Sequence, residues 1–383
     1  MVKKMNLELF RSMLETDSTT GTERKFAEFM AKEIGECGCT RYEVGDGSLN
    51  LLFRWGSREP EIYLCSHLDT VPPYIPPAFR KVKAGDALPD GKTALKDDIL
   101  ITGRGSCDAK GQIFSMLEAC RKKASEGLDG FALLLLSGEE TGSFGAKTYT
   151  KDCAGGKWIV VGEPTDNKMV TASKGTKSFS VRITGKACHS GYPELGKSAV
   201  DTFIDFVNTL KHTEFPEDAI LGHTTWNIGR LISDNPQNIL SPELSFRLYF
   251  RTTFASDMPV CEFMEKIKGP DILVENLGGD SPMRYDTVPG KECTAVSFGS
   301  DTPRLTKFIH RSLCGPGSIS VAHTPQEYVL ASDLETAAEQ YGQFIALALG
   351  KALTSAPDSC LTECGRHPLE KRHSSSHPSF HRP

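Results

Sequence analysis

The sequence predicts an α/β fold in two parts, a larger layered unit split along the chain and a smaller α+β block set inside it. Three observations carry this. Apolar, strand-like runs alternate with helical patterns up to about residue 176. At Lys177 the pattern switches to half-exposed strands and amphipathic helices in the order β-α-β-β-α-β, a ferredoxin-like unit. Near Asp286 the buried α/β character returns.

Leu7, Phe10 and Leu14, then Phe26, Phe29, Met30 and Ile34, recur at helical spacing across 7–38, with Thr20–Glu23 as a helix start. Leu49–Arg54, Glu61–Cys65, Phe131–Ser137 and Trp158–Gly162 read as strands. Residues 109–125 read as a helix with Ile113, Met116, Leu117 and Cys120 on one face. Such alternation puts functional groups at the carboxyl ends of strands. In the inserted block, Ser178–Thr184 alternates cleanly. A helix at Ser198–Leu210, strands at 223–232 and 243–253, a helix at 259–268 and a strand at Ile272–Glu275 follow, and a helix at Ala337–Leu353 closes the larger unit. From about Ala356 large apolar side chains all but vanish, so the tail is expected to be disordered. Its Cys360, Cys364, His367, His373, His377 and His381 are expected to bind metal only adventitiously. The expected division is 1–176 and 286–355 for the larger domain, 177–285 for the insertion, and 356–383 for the tail.

At 383 residues the chain is long enough for two domains. Its 39% hydrophobic and 24% charged content is that of a globular enzyme. A formal charge of −5 without a polybasic run argues against nucleic acid and anionic membranes as partners. No apolar stretch approaches the ~20 residues that span a bilayer, and the first residues lack the apolar core of a signal peptide. The expected location is the cytoplasm. The twelve cysteines are scattered without C-x-x-C pairs, so they are expected to be small buried hydrophobes.

The stretch Leu64-Cys-Ser-His-Leu-Asp-Thr70 ends an apolar strand with His67 and Asp69 two residues apart. A metal-binding histidine commonly has its second ring nitrogen held by a carboxylate or carbonyl, though Asp69 is also placed to cap the loop. Asp108 lies at the mouth of the helix that follows Gly103-Arg-Gly-Ser-Cys-Asp108. Glu139 and Glu140 follow the strand at Phe131, Glu163 follows Val160-Val-Gly, and His323 sits in a Gly-Pro-Gly loop segment. Adjacent carboxylates at a buried strand end repel, and a divalent cation removes that penalty. Two histidines with Asp108, Glu140 and Glu163 suffice for two zinc-like ions bridged by Asp108. Glu139 is then left over beside them, where a general base belongs.

This order of H-x-D-T-V-P, G-R-G-x-x-D-x-K-G, E-E-x-G-S-x-G, V-G-E-P-T and A-H-x-P-x-E-Y resembles the co-catalytic zinc amidohydrolases and exopeptidases. These include acetylornithine deacetylase, succinyl-diaminopimelate desuccinylase, aminoacylase and glutamate-releasing carboxypeptidases; the resemblance spans roughly 5–350. It implies a discontinuous zinc-exopeptidase-like catalytic domain with an inserted dimerisation or lid domain. By that resemblance His67, Asp108 and Glu163 hold one zinc, and Asp108, Glu140 and His323 the other, with cobalt or manganese accepted. Asp69 orients His67, and Glu139 is base and then acid. His189, in Ala-Cys-His-Ser-Gly191, reaches a neighbouring subunit's site across a homodimer to stabilise the oxyanion. Asn238 and Arg251 fall in the lid segment that grips a substrate carboxylate, although Tyr249 stands where relatives usually carry Asp, and Arg251 is as readily a surface residue. Ala109 replaces a common Met.

Gly299-Ser-Asp-Thr-Pro303 and the Gly-Pro-Gly-Ser-Ile segment point within that family to acetylornithine deacetylases, with Asp301 either meeting the ornithine amine or serving a turn. The expected reaction is hydrolysis of N-acetylornithine to ornithine and acetate in arginine synthesis. Deacylation of succinyl-diaminopimelate, acetyl-lysine or acetylcitrulline, and peptide hydrolysis as a metallo-carboxypeptidase or dipeptidase, are alternatives. A cysteine hydrolase built on Cys107 would leave Glu139, Glu140 and Glu163 without purpose, and a non-enzymatic relative would lack a ligand or base.

Overall fold

The computed structural model describes residues 5–351 apart from Asp46 and Ala154. The segment expected to form the tail lies outside the described residues. Two amphipathic helices open the chain, α1 (Leu7–Glu15) and α2 (Arg24–Glu33). They separate because Asp17 folds back to accept the Thr19 N–H and Gly21 takes a left-handed φ of 89°. The helical periodicity of 7–38 therefore ends early. After Ile34 the chain turns into β1 (Gly38–Val44), which hairpins onto β2 (Ser48–Trp55).

The strand β3 (Ile62–His67) is buried on both faces. Ile62 and Leu64 meet the helices on one side of the sheet, and Tyr63 and Cys65 enter the core on the other. A hairpin of β4 (Ala78–Val82) and β5 (Asp98–Thr102) leads to α3 (Lys110–Ser125), then β6 (Phe131–Leu136), α4 (Phe144–Asp152) and β7 (Gly156–Val161). With β15 (Phe308–Leu313) these make a six-stranded sheet in the order β1-β2-β6-β3-β7-β15. Strands β6, β3, β7 and β15 are parallel, and β3 is flanked by the next two strands of the series, β6 and β7. The carboxyl ends of β3, β6 and β7 thus lie side by side, as at the switch point of an open α/β sheet.

The strand β8 (Met169–Ser173) leads into β9 (Gly175–Thr184), α5 (Ala199–Lys211), β10 (Thr225–Ile232), β11 (Glu243–Thr252), α6 (Asp257–Lys266) and β12 (Ile272–Gly278). The four strands from β9 to β12 pair antiparallel in the order β10-β11-β9-β12, the ferredoxin-like arrangement expected from the sequence. Phe179, Val181, Ile183, Phe246, Leu248 and Phe250 point to one face and form a core of their own with Phe206 and Val260. Two short strands, β13 (Met283–Arg284) and β14 (Cys293–Val296), pair with β8. The described residues close with β16 (Tyr328–Leu330), which pairs with β5, and α7 (Ala331–Ala348), which packs against α3. Cys65, Cys107, Cys120 and Cys314 are buried, and the ten cysteines of the described residues are free.

Candidate active site

His67 closes β3, Glu139 and Glu140 lie just past β6, Glu163 lies just past β7, and Asp108 precedes α3. Their proximity follows from the strand order. Asp108 stands between the two histidines: its Oδ1 is 2.9 Å from Nε2 of His67 and its Oδ2 is 3.2 Å from Nε2 of His323. The same nitrogen of His323 is 2.8 Å from Oε1 of Glu140. Ligand atoms of His67, Asp108 and Glu163 lie within 4.8 Å of one another, as do those of Asp108, Glu140 and His323. Glu139 joins neither triad, but forms a third such group with His67 and Glu140.

The Nδ1–H of His67 donates to the main-chain oxygen of Asp69 at 2.9 Å. A carbonyl only accepts, so this bond keeps the proton of Nδ1 in place and makes Nε2, which faces Asp108, the nitrogen that a metal would take in exchange for its proton. The carboxylate of Asp69 is 3.6 Å from Nδ1. Its oxygens accept the N–H groups of Glu139 (3.0 Å) and Glu140 (3.2 Å) and the Thr20 hydroxyl (3.0 Å). Asp69 therefore orients the ring through its backbone, while its side chain fixes the loop that carries both glutamates. Burial opposes ionisation of Asp69, but His67, the Glu139 N–H and Thr20 hold its carboxyl below the usual range. Gly138 makes the sharp exit from β6 possible: its φ is 69°, and a Cβ there would lie 1.6 Å from the Phe144 ring.

The electrostatics are those of a cluster short of positive charge. Burial, together with the charge of Asp108, pushes the Glu163 carboxyl well above its ordinary range, and one of its buried oxygens has no hydrogen-bond partner. Burial also pushes Glu139 well up; His67 lowers it, and Asp301, Glu140 and Asp108 raise it. His323 is pushed up to about 10 by hydrogen bonds to Asp108 and Glu140. Four carboxylates and two imidazoles with one oxygen orphaned suit two divalent cations, which would replace the protons these groups retain.

The family profile described as a peptidase dimerisation domain matches residues 171–269, which takes in β9 to β11 and the whole of α5 and α6. A probable carboxypeptidase of Aspergillus clavatus is 31% identical over 90% of this chain and 89% of its own length. A peptidase M20 domain-containing protein of Schizosaccharomyces pombe is 33% identical over 86% of this chain and 81% of its own. The chain belongs to the M20 peptidase family. The M20 fold also matches a tripeptidase of Staphylococcus aureus with a TM-score of 0.72 at 20% identity, covering 90% of this chain and 98% of that one. An M20 family metallo-carboxypeptidase of Sulfolobus solfataricus matches with a TM-score of 0.64 at 15% identity, covering 89% and 98%.

The remaining residues singled out in the sequence belong to none of the candidate ligand groups. His189 is exposed in a turn of the inserted unit; its Nδ1 accepts the Gly191 N–H at 3.1 Å, and its ring lies 5.9 Å from that of Tyr192. Asn238 is exposed beside it, its carbonyl accepting the Ser190 N–H. Arg251 is half-buried on β11 with its guanidinium 5.1 Å from the centre of the Tyr249 ring. Lys174 lies near it, held below the ordinary lysine range by burial and by the charge of Arg251. Asp301 is only 2% exposed, with a buried oxygen that lacks a hydrogen-bond partner. Burial pushes its carboxyl up to about 6 against the opposing pull of His67 and Ser143.

The sequence places Thr20 only in a helix start, whereas its hydroxyl holds Asp69, and it assigns no role to Arg104 and Glu327, which pair beneath Asp108. Arg104 and Glu327 stand in the motifs G-R-G and A-H-x-P-x-E-Y, but their pairing across the chain leaves no local pattern.

These shifts set a pH dependence for metal removal. Glu139, Glu163, His67 and His323 all bind protons more tightly folded than unfolded. The stability each confers on the metal-free protein is full below its unfolded value, 4.5 for the acids and 6.5 for the histidines, and fades as pH rises through its folded value. Asp108 runs the other way, losing its contribution only in acid below 3.8. Bound cations tighten over the same alkaline direction. The gap in Tm between metal-loaded and chelator-stripped protein is therefore expected to widen from about pH 5 to about pH 9, as read by differential scanning calorimetry. A gap constant with pH contradicts this.

Proposed function

We propose that this M20 peptidase hydrolyses the amide bond that joins an amino acid with a free carboxylate to an acyl group or a short peptide, using two divalent ions. The observation that carries the reading is the single carboxylate of Asp108 between His67 and His323, with Glu163 and Glu140 flanking it. In this reading His67, Asp108 and Glu163 hold one ion and Asp108, Glu140 and His323 the other, zinc being the natural choice and cobalt a substitute. Ions held there polarise the amide carbonyl and acidify water. Glu139, outside both triads, takes a proton from the attacking water as its oxygen bonds to the carbonyl carbon. As the C–N bond breaks, Glu139 returns that proton to the departing nitrogen. Residues 1–176 and 286–355 would then form the catalytic unit and 177–285 its lid.

Support for a substrate carboxylate comes from Arg251 and Lys174, neighbouring cations without a carboxylate ion pair among the described residues. The relatives named as probable carboxypeptidases fit the same class. N-acetylornithine, with arginine synthesis as its setting, is the narrower form of this reading, and the burial of Asp301 gives its amine no exposed partner there. Amine release should be followed from N-acetylornithine, succinyl-diaminopimelate, other N-acetylamino acids, and di- and tripeptides, each with a free or amidated carboxyl end. Free-carboxylate substrates are expected to turn over and amidated ones not. Arg251→Met is expected to raise KM about 10–100-fold, the worth of a hydrogen bond to a charged group, for the former alone. Equal turnover of amidated substrates would remove the carboxylate requirement, and absence of metal-dependent hydrolysis would remove the reading.

His189 and Asn238 stand on the unit matched as a dimerisation domain, so we assign His189 to the oxyanion of a partner subunit's site in a C₂ dimer. A fully active monomer in sedimentation would take that role away.

A further inference from the structure

Arg104 and Glu327 form an ion pair beneath the metal-ligand cluster, with Nη1 2.6 Å from Oε2 and side chains 2% and 1% exposed. Such a pair adds little net stability, since an apolar pair of similar volume commonly does as well. Its connections point to another use. The second oxygen of Glu327, Oε1, accepts the N–H groups of both Cys107 and Asp108 at 3.0 Å. Its main-chain oxygen takes the Gly103 N–H. Arg104 donates to the carbonyls of Thr324, next to His323, and of Pro73, each at 3.3 Å. One pair thus ties the loop of Asp108 to the loop of His323.

We infer that Glu327 is a positioning residue whose Oε1 fixes the backbone of Asp108 against His323 so that the two share a metal ion. The inference rests on the two-ion reading above. Ligand geometry must hold within about 0.5 Å, and the N–H that Glu327 holds is on the same residue as the bridging carboxylate. Without the acceptor at Oε1, two buried N–H groups are left to find other partners and the loop re-aims.

Two double variants separate this from a bracing role, with cobalt(II) as the probe. Both remove the ion pair: Glu327→Gln with Arg104→Met keeps an oxygen for the two N–H groups, and Glu327→Met with Arg104→Met does not. Calorimetric titration and the visible cobalt spectrum are the readouts. The Gln variant should bind its second ion within about threefold of the parent, whereas the Met variant should bind it about 10–100-fold more weakly, with an altered spectrum. Glu327→Asp, which keeps the charge but retracts the oxygens by one methylene, should also weaken the second ion by about tenfold, and it decides the matter if the Met variant does not fold. Parent-like affinity and spectra in the Met variant, or in Glu327→Asp, overturn the inference. Failure of the parent to take up a second ion instead overturns the two-ion reading beneath it.

Discussion

Glu139→Gln is expected to lower kcat about 10²–10⁴-fold, the range for loss of a positioned acid–base group, while two ions still bind. The substitution keeps the size and removes the proton acceptor. Burial and the charges of Asp301, Glu140 and Asp108 push this carboxyl well up, the direction that makes it a stronger proton acceptor. The competing role is that of a ligand, since Glu139 also lies in a possible ligand group with His67 and Glu140. Those two residues already serve the triads built on Asp108, which leaves Glu139 as the member of that group without another task. Metal analysis alongside steady-state kinetics distinguishes the two: a protein that drops one ion with its activity makes Glu139 a ligand, and one that keeps both ions and its kcat removes it from the chemistry.

Much of this site was legible in the sequence because its groups sit at the ends of apolar strands. His67, Glu140 and Glu163 each follow a run that is buried on both faces, and such runs announce themselves through Leu64, Leu133–Leu136 and Ile159–Val161. The alternation of Ser178–Thr184 likewise announced the antiparallel sheet of the inserted unit. Less visible were elements whose only support is a distant partner. The strand β16 pairs with β5 across more than two hundred residues, and β1 follows a helical stretch directly, so neither carries a strong local period. Side-chain assignments failed to be legible for a related reason. The spacing of His67 and Asp69 suggested a contact between them, but could not say that the carbonyl would take the ring nitrogen. The carboxylate was needed by two N–H donors that the exit from β6 leaves unpaired. Asp301 read as a turn acid or an amine partner, and its local sequence carries no sign that the fold would bury it.

Asp108→Asn should cost more than loss of any single terminal ligand, because Asp108 is the only residue common to both triads built on the two histidines. An amide keeps the shape but supplies one neutral oxygen where the site presents two anionic ones, 2.9 Å and 3.2 Å from the two imidazoles. Without the shared charge, two cations side by side repel with less between them to compensate. The variant is expected to retain at most one ion after gel filtration and to lose about 10³-fold or more in kcat, the equivalent of several kcal/mol of transition-state stabilisation. His323→Asn provides the comparison. It should release the ion of Asp108, Glu140 and His323 while the one held by His67, Asp108 and Glu163 stays, since those three ligands are intact. Metal content measured by plasma emission, with circular dichroism to establish that each protein is folded, reads the difference. Two ions retained in Asp108→Asn, with kcat within about tenfold of the parent, would mean that Asp108 does not bridge and that the two triads are separate sites.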